Sequence, residues 1–179
     1  MPAGITADAA SSLGAAVAYS VLATDNFDTS PSINCSPASG STFSVGDTTV
    51  MCSASDKAGN TSDNSFNVHV RSVSEQLIGL GSLIDSFNLP QGTVNSLKGK
   101  LLEAQQAIND GNTGAACSSL TDFVSLINAQ AGKKITAPQA NQLISAATQI
   151  KGRFRLSVSS LTRKSLLTGG PKFGTLTPS

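Results

Sequence analysis

The feature that most constrains this chain is a change of hydrophobic period near residue 73. Before it, apolar and polar residues alternate. After it, apolar residues recur every three or four positions. A period of two belongs to strands and a period near 3.6 to helices, and one element cannot satisfy both. The chain therefore reads as a β part followed by an α part. Its 179 residues are enough for two small domains.

The β part is clearest from Cys35 to Asn60, CSPASGSTFSVGDTTVMCSASDKAGN. Val50, Cys52 and Ala54 are every second residue, which describes a strand with one face on a core. Asp56 ends it, and Lys57-Ala58-Gly59-Asn60 turns the chain into a second alternating run, Phe66 to Arg71. Two such runs around a Gly-Asn turn predict a β-hairpin. Upstream, three further strands are expected. The first covers 4–9 with Ile5 and Ala7 inward, the second 15–22 with Val17, Tyr19 and Val21 inward, and the third 32–35 with Ile33 and Cys35 inward. Phe43 and Val45 share a parity and are expected to plug the core. Short strands at near-regular spacing, separated by Gly, Pro, Asn and Asp, predict a β-sandwich over 1–73.

The α part opens on Ser72-Val73-Ser74-Glu75, which has capping-box spacing. Leu77, Leu80, Ile84 and Phe87 mark a first inward face, and Asn88 to Gly92 breaks the helix. Leu97, Leu101, Ala104 and Ile108 mark a second helix over 92–109. A third, over 114–130, turns Cys117, Leu120, Phe123, Val124 and Ile127 inward. Thr136-Ala137-Pro138-Gln139 starts a fourth with Ala140, Leu143, Ile144, Ala147 and Ile150 inward. Short connections make these antiparallel neighbours, so 74–154 is expected to be an all-α four-helix bundle. Residues 155–179 show no sustained period and contain Gly169-Gly170-Pro171, so they are expected to be a disordered tail.

The β part resembles the HYR (hyalin-repeat) domain through Cys35, Gly40 to Phe43, Val45, Gly46, Val50, Cys52, Ala54, Asp56, Gly59, Asn60, Phe66 and Val68. That resemblance implies an immunoglobulin-like sandwich of the extracellular kind. HYR domains often carry four cysteines, and two of those positions here hold Phe27 and Ser65. The resemblance thus implies that Cys35 and Cys52 pair with each other; the alternative is two buried free thiols, as in a cytosolic protein. A bridge closing a loop of this length is worth roughly 3 kcal/mol in the chain-entropy model. The α part resembles the FIMAH domain, a helical module of bacterial secreted and surface proteins. The resemblance rests on Ser96-Leu97, Lys100-Leu101, Ala104, Gly111-Asn112, Ala116-Cys117, Leu120, Phe123, Gly132 to Lys134, Gln139-Ala140 and Leu143-Ile144.

The chain is poor in catalytic material. Charged residues make up 13% of it, with one His and no Trp. That His, His69, alternates with Val68 and Val70 and is expected to point outward as a solvated side chain, too isolated for a triad or a zinc site. Cys117 is expected to be a small core residue and not a nucleophile, since no base lies near it in sequence. Asp25 and Asp28 end one strand and Asp56 another. In an immunoglobulin-like sandwich those loops share an end, which makes the three carboxylates candidate calcium ligands. The competing expectation is that they bond their own turns, and no metal or cofactor is implied. After Asp122 there is no acidic residue, while eight Lys and Arg follow, from Lys133 to Lys172. Phe154 and Phe173 are too sparse for base stacking, so nucleic acid is not an expected partner.

These readings converge on a non-catalytic extracellular module, adhesive or structural, whose partner is an extracellular protein or glycan. The alternative is a pair of accessory domains of a larger secreted enzyme, carbohydrate-active among the options. No apolar run reaches membrane-spanning length. No signal peptide is visible at Met1-Pro2-Ala3-Gly4, so the chain is expected to be part of a longer secreted or surface protein.

Overall fold

The computed structural model describes residues 1–11 and 13–166, with side chains as far as Phe154. The β part comprises β1 (Ile5–Asp8), β2 (Ala15–Ala16), β3 (Ser32–Ser36), β4 (Thr42–Phe43), β5 (Gly46–Ser55) and β6 (Thr61–Arg71). Four strands form one mixed sheet in the order β1-β6-β5-β3, and β2 pairs with β4. The expected hairpin is its centre. Ser55 faces Thr61 across the turn, and the register runs unbroken to Gly46 opposite Val70. The turn closes because Asp56 accepts hydrogen bonds from both the backbone and the side-chain amide of Asn60, at 2.8 and 2.7 Å. β1 joins β6 in parallel, with Ile5 opposite Val68.

Alternation fills the core from both sheets. Val50, Cys52, Phe66, Val68 and Val70 come from the hairpin, and Ala15, Val17 and Phe43 from the β2–β4 side. Tyr19 packs edge-on against Phe66 with ring centroids 5.0 Å apart, and its hydroxyl donates to the carbonyl of Pro37.

Three expectations fail here. The second strand was expected over 15–22, but its ladder stops at Ala16. Beyond that point the backbone finds other partners: Tyr19 N–H donates to the Ser39 hydroxyl at 2.8 Å, and that hydroxyl donates back to the Tyr19 carbonyl. Ile33 is 39% exposed and Val45 43% exposed. Ile33 lies opposite Ala54 on the edge strand, at the mouth of an open groove. Val45 loses the parity it shares with Phe43 because β4 ends at Phe43 and Gly46 reverses the backbone at φ 99°.

The α part comprises α1 (Val73–Ser86), α2 (Gln91–Asn109), α3 (Thr113–Gln130) and α4 (Ala137–Leu166). Ser72 caps α1 with a complete capping box: its hydroxyl accepts from Glu75 N–H, and Glu75 accepts from Ser72 N–H at 2.6 Å. Asn88, at φ 49°, ends that helix in the left-handed conformation that Asn tolerates. α1 packs on α2 and α4, and α3 packs on the same two helices. Most residues of the inward faces read from the period are buried, with Ile84, Ala104, Leu120, Phe123, Ile127, Leu143 and Ala147 all at 0% exposure, while Phe87, Ile108, Cys117, Val124 and Ile144 lie half-buried at the rim of the cluster. Ile135 is also buried, though it sits in the α3–α4 connection where no period could reveal it.

The boundary expected at residue 155 falls inside a helix, because α4 continues to Leu166. Between Phe154 and Gly169 there is no Gly or Pro to stop it. The rest of the expected tail lies outside the described residues.

Two glycines test this packing in opposite directions. Gly14 has φ 112°, and a Cβ there would stand 1.8 Å from the Phe43 carbonyl oxygen. Gly99 is exposed in mid-helix with nothing within 4 Å of its missing Cβ. Gly14→Ala is expected to cost at least about 2 kcal/mol through strain and collision. Gly99→Ala is expected to stabilise the helical part by about 1 kcal/mol. Urea unfolding checks both. Fluorescence of Tyr19, the only Tyr in a chain without Trp, follows the β part, and circular dichroism at 222 nm follows the helices.

Candidate functional site

Two places gather the chain's polar side chains. The first is the loop end of the β part. A groove of about 330 Å³ opens there between the Val21–Asp25 segment and the β3–β5–β6 face, with Ile33, Ala54, Asp56 and Asn64 in its wall. The two Asx loops do meet at this end. Asp28, 7% exposed, accepts from Lys57 N–H and from the Lys57 ammonium, both at 3.2 Å, and from Ser30 N–H at 3.0 Å.

That meeting does not make a calcium cluster of Asp25, Asp28 and Asp56. Asp25 Oδ1 is engaged by its own loop, accepting from Asp28 N–H at 2.7 Å and Phe27 N–H at 2.9 Å. Asp56 is engaged by Asn60, and Asp28 by Lys57. Among the described residues no group of three or more His, Cys, Asp or Glu is arranged to hold a metal ion. The carboxylates instead hold the turns that shape the groove, Asp25 and Asp56 each within its own loop and Asp28 by reaching Lys57 on the facing one. The Asp28 and Phe27 N–H groups hold the Asp25 carboxyl below its usual range. The Asn60 side chain, and then its N–H, do the same for Asp56.

Cys35 and Cys52 are joined in a disulfide. They face each other directly across β3 and β5, so the bridge pins the edge strand to the hairpin. Cys117 is free and half-buried against the helical core.

The second place is the seam between the two parts. His69 is not a solitary solvated side chain there. Its Nδ1 lies 2.8 Å from Asp47 Oδ1 on β5, and its Nε2 lies 3.2 Å from Glu75 Oε1 on α1. The hydrogen bond to Asp47 is the main cause that raises the imidazole above its ordinary value, with Glu75 adding to it. Glu75 is held below the usual carboxylate range chiefly by Ser72 N–H, then by the Ser72 hydroxyl and His69. Beside this pair, Asp8 of β1 accepts from Arg71 at 2.7 Å and lies 3.6 Å from Arg153 of α4. Arg153 also donates to the Ala9 carbonyl. Gln76, 7% exposed, donates to the Arg71 carbonyl at 3.0 Å.

Part of the seam was discoverable. Once the Asp56–Asn60 turn sets Ser55 opposite Thr61, the register places Asp47 opposite His69. The capping box likewise names Glu75. Nothing local points to Arg153, whose partner Ala9 is 144 residues away. The basic stretch therefore spends one of its charges inside the molecule, and Lys151 donates to the Thr121 hydroxyl.

The comparisons agree with this two-part build. The family model described as the HYR domain matches residues 9–70, and that described as the FIMAH domain matches residues 75–152. The chain is an HYR domain followed by a FIMAH domain. No curated protein and no solved structure matches it. HYR and FIMAH domains are accessory modules of the extracellular type without catalytic machinery. No helix among the described residues is long and apolar enough to cross a membrane. The junction of the two matches, between 70 and 75, coincides with the seam.

Two outcomes follow. Thiol labelling of protein from an oxidising compartment, denatured but not reduced, is expected to modify one cysteine, Cys117; three labelled cysteines would contradict the bridge. Thermal melts with calcium and with chelator are expected to share one midpoint, since the loop carboxylates already have partners. A calcium-dependent rise that disappears in Asp25→Asn would show otherwise.

Proposed function

We propose that this chain is a non-catalytic segment of a secreted or surface protein, acting in adhesion or as a spacer. In this reading the HYR domain is an immunoglobulin-like sandwich and the FIMAH domain a four-helix bundle. The partner is an extracellular protein or glycan met by the Asx- and Thr-rich loop end.

The supporting observation is where the reactive side chains go. Catalysis needs an acid, base, nucleophile or metal positioned in a concave site. Here the imidazole is shared between Asp47 and Glu75, and Asp28 is tied to Lys57. Cys117 packs against the helical core. The loop-end groove sets Ser, Thr, Asn and Asp side chains beside an apolar wall of comparable extent that includes Val21, Leu22 and Ile33, a mixed surface suited to recognition.

The test has two arms. Beads coated with the chain are expected to be retained on arrays of extracellular glycans or matrix proteins, with retention reduced by substitutions at Thr24, Asn60 and Asn64 in the groove wall. Screens against ester, peptide and glycoside substrates are expected to stay at buffer background. A turnover abolished by His69→Ala or Cys117→Ala would overturn the reading.

A further inference from the structure

We infer that His69 is a pH-operated clasp between the two domains, closed when its imidazole carries both protons and open when it is neutral. The inference rests on the geometry of the seam and holds whatever the loop end binds.

The stereochemistry is restrictive. Both ring nitrogens face carboxylate oxygens, Asp47 Oδ1 at 2.8 Å and Glu75 Oε1 at 3.2 Å. A neutral imidazole has one N–H, so in either tautomer one nitrogen lone pair would face a carboxylate. Only the imidazolium donates to both. The two acceptors belong to different domains: Asp47 is on β5 and Glu75 in the first turn of α1.

Glu75 is not free to swing away when the proton leaves. Its second oxygen accepts from Ser72 N–H at 2.6 Å, so withdrawal would unmake the cap of α1. The proton that stays is the one on Nδ1, held by the closer carboxylate of Asp47 at 2.8 Å, so the Nε2 lone pair faces Glu75 and the repulsion falls on the angle between the domains.

The charges around the ring point the same way. β5 contributes Asp47, β1 contributes Asp8, and α1 contributes Glu75. β6 itself adds Arg71, and α4 adds Arg153. Asp8 is matched by the two guanidiniums, at 2.7 and 3.6 Å. Three carboxylates thus stand against two permanent cations, and the seam is neutral only when His69 is charged. The His69 side chain is 34% exposed, enough for protons to reach it directly.

The direction of the effect follows from linkage. A histidine raised on folding contributes its stabilisation in full below its ordinary value, 6.5. That contribution disappears as the pH rises through the elevated value. Glu75, lowered on folding, sets the acid limit, because its part is lost as the pH falls through its own depressed value. The clasp is closed between those limits and opens on the alkaline side. Arg153–Asp8 and Gln76–Arg71 keep the domains together when it opens, so the change is one of stiffness and not of separation.

His69 is the only histidine, so its ring C–H signals can be followed by NMR without ambiguity. The wild-type midpoint is expected above 6.5, and it should fall toward that value in Asp47→Asn and in Glu75→Gln. Gln at 75 can still accept from Ser72 N–H, so the cap survives. Asp47, 75% exposed, repeats the test at a site with no cap role. Residual dipolar couplings from each domain should fit one common alignment below the wild-type midpoint and two distinct alignments above it. In Glu75→Gln the oxygen stays on Ser72 N–H and the amide N–H meets Nε2, so this variant should reverse the dependence, with two alignments below its midpoint and one above it. An unchanged midpoint in both variants, or one common alignment maintained through the titration, would overturn the inference.

Discussion

A single residue connects the two domains. β6 ends at Arg71 and α1 begins at Val73, which leaves Ser72 as the whole linker. Ser72 is also the N-cap of α1. The connecting residue thus has its backbone N–H and its hydroxyl both committed to Glu75. A longer, Gly- or Ser-rich linker would let the domains reorient freely. Here the first helical turn has to start where the last strand stops, so the side chains of β6 and α1 are brought together. His69, Arg71, Glu75 and Gln76 form the seam because they flank that one residue.

The two domains meet this constraint with unequal means. The helical domain buries a large apolar cluster, and its four helices each contact two neighbours in it. The β domain has a much smaller one, and several of its members are Ala, Val or Cys. A fully buried Leu or Phe is worth about 1.5–3 kcal/mol, and the Cys35–Cys52 bridge roughly 3 kcal/mol. The disulfide therefore equals one or two large core residues in a domain that has few. It acts on β3, which pairs with only one neighbour and would otherwise be the first strand to fray. Asp28 and Lys57 perform a related task at the loop end, joining two turns that the sheet itself does not connect.

The loops follow the same economy. Asp25, Asp28 and Asp56 look in sequence like hard oxygen ligands. In the folded chain each finds a donor on its own or the facing turn. What remains open to solvent is the groove between Val21–Asp25 and the hairpin face, where β2 stops too early to cover Ile33 and Ala54. Past Ala16 the segment is held by single bonds, Val17 to the Ser41 and Gly40 backbone and Tyr19 to the Ser39 hydroxyl, and no longer by a strand ladder.

The sequence by itself determined the elements and their order. Period two and period 3.6 name strands and helices because side-chain direction is set by local backbone geometry. The capping box at Ser72 and the Asp56–Asn60 turn are likewise local hydrogen bonds between residues three or four apart. The inward faces of the four helices could be read for that reason. The tertiary structure decided everything that depends on what stands opposite. Ile33 has inward parity but no layer above it, and Val45 loses its parity where β4 ends at Phe43, so both are exposed. Residues 155–166 are helical where a tail was expected, since nothing in them interrupts α4. His69 reads as an isolated surface residue because neither of its partners is its chain neighbour: one is across a hairpin and the other beyond a domain boundary. Arg153 and Asp8 lie at opposite ends of the chain, and only folding brings their charges within reach of each other.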